Sequence, residues 1–121
     1  MSNAINWFEI PCSDLSRAAK FYEKILDVKL ERTDFNGVPH AIFPGERSSV
    51  RGALVLDRNN APSDRGSLLY LNVTGKLDAC LKRAAEIGAK LLVPKTSIGD
   101  PGFIALLQDS EGNRVGLHSP T

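Results

Sequence analysis

Val28-Lys29-Leu30 and Ala89-Lys90-Leu91 each follow an amphipathic segment of helical period, and they lie 61 residues apart. Outward from these two anchors the chain reads twice. Before the first, Leu15, Ala18, Ala19, Tyr22, Ile25 and Leu26 recur at helical spacing, and Ser13 or Asp14 can cap the N-terminus. Before the second, residues 77–87 form the matching helix, stopped by Gly88. A strand-like run precedes each helix, residues 5–10 and 68–73, and the same offset sets Cys12 on Val73. Three strands follow each helix: 28–33, 38–43 and 50–56, then 90–94, 103–108 and 114–118. Asn36-Gly37 is a strong hairpin signal, because both residues tolerate positive φ. A period this long, occurring twice, is a duplicated βαβββ unit and not a solenoid. Each half alone leaves a sheet face bare, so the halves must share one core.

The expected architecture is α+β within a single domain, residues 1–121, as one core of ordinary size requires. Module 1 spans about 4–57 and module 2 about 67–118, with a turn-rich linker at about 58–66. The 15 basic and 14 acidic residues nearly cancel and form no long block, which argues against a nucleic-acid partner. No apolar run approaches the roughly 20 residues needed to cross a bilayer. Met1-Ser2-Asn3-Ala4-Ile5 has neither the basic start nor the apolar stretch of an export signal. With only Cys12 and Cys80, the expectation is a cytoplasmic protein with free thiols.

Two stretches carry a resemblance. One is Phe8-Glu9-Ile10-Pro11-Cys12-Ser13-Asp14-Leu15 with Ala18-Ala19-Lys20-Phe21-Tyr22. The other is the closing Gln108-Asp109-Ser110-Glu111-Gly112-Asn113-Arg114-Val115. In this order, on a duplicated scaffold, they resemble the vicinal oxygen chelate superfamily of glyoxalases, bleomycin resistance proteins and extradiol dioxygenases. The resemblance implies a curved mixed sheet with a concave cavity and helices on its outer face. It also implies a frequent homodimer and a divalent metal held by His, Gln or Glu on the first and last strands of each module.

This chain departs from that pattern at the metal. The corresponding positions are Trp7, Leu68, Gly116 and the neighbourhood of Gly52-Ala53, and none offers a metal donor. No family-type metal and no cofactor are therefore expected.

Strand alternation sends Trp7 and Glu9 to the cavity with Leu68, Tyr70 and Asn72, and with Arg114, Gly116 and His118. Trp7 and Tyr70 are candidates for an aromatic wall, and Asn72 and Arg114 for polar ligand contacts. Glu9, a carboxylate in an apolar strand, is either functional or tied to Tyr70, Asn72, Arg51 or Arg114. His118 is a candidate acid–base group or a terminal residue on the rim, since an imidazole exchanges protons near neutrality. His40 has a surface role or, with Glu9 and His118, belongs to a scattered metal site. Cys12 and Cys80 read as buried, inert sulfur. The stretch 94–102, irregular in sequence, offers Lys95, Thr96 and Ser97 to an anion or is a plain connector.

Two functions of different class follow. The first is metal-independent binding of a small organic molecule in the cavity. The second is a lyase or isomerase, related to lactoylglutathione lyase, with Glu9 and His118 as its acid–base pair. A domain serving only assembly, its cavity filled with side chains, is a third.

Overall fold

The computed structural model describes residues 3–121; Met1 and Ser2 lie outside the described residues. Module 1 contains β1 (Trp7–Pro11), α1 (Leu15–Leu26), β2 (Glu31–Phe35), β3 (Val38–Ile42) and β4 (Arg51–Val55). Module 2 contains β5 (Tyr70–Asn72), α2 (Leu77–Glu86), β6 (Lys90–Ser97), β7 (Phe103–Gln108) and β8 (Arg114–Ser119). The duplicated βαβββ unit is thus present in full.

Each module makes its own four-stranded mixed sheet, ordered β1-β4-β3-β2 and β5-β8-β7-β6. The order repeats because each first strand crosses over a helix to pair parallel with the last, while the strands between pair antiparallel. The mixed sheet therefore comes as two related halves and not as one continuous ladder. Both sheets serve one hydrophobic core, in which Ile10, Tyr22 and Leu54 meet Leu71, Leu77 and Leu117. Burying a leucine as fully as Leu54 or Leu117 contributes roughly 1.5–3 kcal/mol.

Local chemistry explains the boundaries. Asp14 caps α1 by accepting the Arg17 backbone N–H at 3.0 Å, and Asp27 closes it in the left-handed region at φ 54°. The Glu23 carboxylate then accepts the Leu30 N–H at 2.9 Å, just before β2 begins at Glu31. Asn36 and Gly37, at φ 53° and 82°, form the tight β2–β3 turn.

The stretch 94–102 is not irregular throughout: β6 continues to Ser97, and only the tight turn around Gly99–Gly102 is left. Pro94 is tolerated because β6 is an edge strand and Pro94 lies within a register shift, between Val93 and Thr96, in its pairing with β7.

Candidate functional site

β1 lies at the edge of its sheet. Along it runs a cleft of about 500 Å³ that reaches Leu69, the start of β8 and the linker. Because the cleft follows a strand edge, residues of both parities line it: Trp7 and Glu9 as alternation predicts, but also Phe8 and Ile10. Arg114 and Val115 close the module 2 side, and Asn60, Ser63, Arg65 and Ser67 supply a polar rim. Such a volume suits a small organic molecule. A larger hollow of about 680 Å³ between Cys12, Gly37 and the linker has no aromatic side chain.

Glu9 finds partners that sequence alternation did not suggest. Its Oε2 accepts the Trp7 indole N–H at 3.2 Å and lies 3.9 Å from His40 Nε2. Tyr70, Asn72, Arg51 and Arg114, the neighbours expected for it, are not among these contacts. Asn72 instead accepts the Thr74 backbone N–H at 3.0 Å, and Arg51 donates to the Phe43 carbonyl at 3.3 Å. His40 is buried and not on the surface: its Nδ1–H donates to the Val38 carbonyl at 2.8 Å, and its ring meets Phe35 edge-on at 4.8 Å. The bond to the Val38 carbonyl orients the ring with Nε2 toward Glu9.

The other candidates separate. Tyr70 is half exposed and lies over Gly116, where any Cβ would collide with its ring. His118 Nε2 donates to the Pro101 carbonyl at 2.6 Å. Tyr70, Asn72 and His118 do not line the cleft, whereas Trp7, Glu9 and Arg114 do. Lys95 is taken up by Asp78 at 3.1 Å and by the face of Phe103 at 4.8 Å. Burial, with the charges of Glu111 and Asp109, pushes the Cys12 thiol up to about 11, and burial raises Cys80 as well.

The metal positions do not fit a cation. Trp7 and Gly116 carry no donor, and the Tyr70 ring fills the space a side chain at 116 would enter. Ala53, paired with Glu9 across β1 and β4, has none either. Among the described residues no three of His, Cys, Asp and Glu gather into a metal-binding group, so Glu9, His40 and His118 do not form one.

The linker's part in the cleft was not legible in sequence. Its turn composition reads as a connector, yet Ser63 N–H donates to Asn113 Oδ1 at 3.0 Å and lays residues 60–67 along the rim. Only the fold reveals that contact, because the two residues are 50 positions apart.

The duplicated modules match a known architecture. The model of the glyoxalase/bleomycin resistance protein/dioxygenase superfamily matches residues 4–117. The chain belongs to that superfamily. Among solved structures, a glyoxalase/bleomycin resistance protein/dioxygenase domain from Frankia sp. EAN1pec superposes with a TM-score of 0.74 at 19% identity, covering 98% of each chain. TnmS3, an antibiotic-binding protein from Streptomyces sp. CB03234, is 25% identical, with a TM-score of 0.68 over 100% of this chain and 99% of its own. The fosfomycin resistance protein FosX from Listeria monocytogenes shares the fold at 12% identity and a TM-score of 0.69, covering 98% of this chain and 91% of its own. No curated protein sequence matches significantly.

Proposed function

We propose that the chain binds a small organic molecule in the cleft along β1, without a family-type metal, and holds it without turning it over. The observation that carries this reading is a cleft of about 500 Å³ that has an aromatic wall at Trp7 and a guanidinium at Arg114, in a fold whose metal positions offer no donor. The similarity to TnmS3, an antibiotic-binding protein, supports the same class of activity. A lyase or isomerase would need Glu9 and His118 on one bound molecule. The His118 bond to Pro101, outside the cleft lining, counts against that pair.

Trp7 is the one tryptophan of the chain, so its fluorescence reports occupancy of the cleft directly. Elemental analysis after exposure to Zn, Ni, Mn and Fe(II) should find near-zero metal. A panel of planar aromatic compounds should contain members that shift Trp7 emission saturably in that metal-free protein. About one tightly held ion per chain, needed for any such shift, would overturn the reading.

The expected homodimer and cytoplasmic location belong to the same proposal. Exposed Leu91 and Leu92 on edge strand β6 support the first, and two buried, unpaired thiols support the second.

A further inference from the structure

Among the described residues, Arg114 is the one group lining the cleft with a buried side-chain polar atom that has no partner. It stands at the start of β8, partly buried, and its Nε is wholly enclosed with no hydrogen-bond acceptor. Among the described residues its guanidinium enters no ion pair. A buried, charged N–H without an acceptor is costly and calls for an explanation.

Module 1 provides an internal comparison. Arg51 starts β4 as Arg114 starts β8, and its Nε is likewise enclosed. Yet Arg51 donates through Nη2 to the Phe43 carbonyl at 3.3 Å, within its own module. Arg114 makes no such bond and lines the cleft.

Glu9, the one carboxylate lining the cleft, is engaged elsewhere, with the Trp7 indole at 3.2 Å and His40 at 3.9 Å. Arg65 on the rim adds a second positive charge, so the lining carries two cations against one anion. The Trp7 N–H is spent on Glu9, and the partly exposed indole lines the same cleft as Arg114.

Resting on the binding reading above, we propose that Arg114 is an anion-recognition residue and that the cleft takes a planar aromatic carboxylate. The carboxylate accepts from the guanidinium fork, and the ring system lies against Trp7.

The test titrates 2-naphthoate and its neutral isostere 2-naphthamide into the intact protein by calorimetry. The Trp7 indole N–H resonance, followed by NMR, locates the site. Naphthoate should bind roughly tenfold more tightly than the amide, as charge-assisted bidentate pairing implies. Arg114→Gln should abolish that preference while amide binding stays, and Arg114→Lys should restore it only in part. Equal affinity of the two probes in the wild type, an outcome that needs no variant to fold, overturns the anion inference and leaves the binding reading standing. Loss of the preference in Arg65→Gln, with Arg114→Gln unaffected, overturns the assignment to Arg114. Failure of both probes to bind or to move the Trp7 resonance overturns the planar-aromatic ligand class together with Arg114's role.

Discussion

Tyr22 on α1 donates its phenol hydroxyl to the buried carboxylate of Asp109 at 2.6 Å, across the junction between the modules. The same carboxylate accepts the Glu111 and Asn113 backbone N–H groups and the Asn113 side-chain amide. Asn113 in turn donates to the Pro11 carbonyl at 2.7 Å. The tyrosine of the first helix and the Asp-x-x-Gly-Asn turn near the end of the chain are therefore one unit, which seats module 2 against β1 beside the cleft.

Tyr22→Phe leaves that buried carboxylate short of one donor. The expected cost is about 1–3 kcal/mol, read as a lowered midpoint in urea with an unchanged slope. A difference within experimental error would mean that the hydroxyl is dispensable to the junction.

Glu111 supplies an acid-sensitive clamp. It accepts the Arg17 Nε–H at 2.7 Å and the Ser13 and Asp14 backbone N–H groups at 2.9 Å each. The Arg17 guanidinium first, then these N–H groups, hold its carboxyl at about 2, below the ordinary 4.5. A folded value below the unfolded one gives stability that is present above about pH 4.5 and lost as pH falls toward 2. With Arg17 half exposed, the contribution at neutral pH is on the order of 2 kcal/mol. Urea melts of wild type and Glu111→Gln should differ at neutral pH and converge in acid. Parallel curves down to the acid limit would remove this role.

Two glycines make close approaches of unequal consequence. A Cβ at Gly52 would meet the Phe8 ring and the Phe8 carbonyl oxygen, each at 2.5 Å, in a packed strand pair. One at Gly116 would meet only the ring of half-exposed Tyr70. Gly52→Ala should cost about 3 kcal/mol and Gly116→Ala about 1 kcal/mol, and Tyr70→Ala should erase the latter cost in a double-mutant cycle. Equal costs would show that Tyr70 is no freer to move than Phe8.

The thiols should be silent in the native state. With Cys12 raised to about 11 and Cys80 also raised by burial, neither should react with an aromatic disulfide reagent near neutral pH. Both should react in denaturant. Rapid native reaction of Cys12 would indicate opening of the α1 end of the junction.

The sequence alone determined the duplicated modules, because helical and strand periodicity, caps and the Asn36-Gly37 turn are local signals that repeat with a fixed offset. It also determined the chemistry missing at the metal positions, since Trp7, Leu68, Gly116 and Ala53 lack donors in any conformation. What only the tertiary structure decided is which side chains meet. Alternation put Trp7, Glu9, Tyr70, Asn72, Arg114 and His118 on one nominal face, but the two sheets and the edge cleft divide them. His40 reaches Glu9 because β3 and β1 both pair with β4, and Ser63 reaches Asn113 because the linker folds back over the cleft. Those contacts join residues far apart in the chain, so neither periodicity nor spacing encodes them.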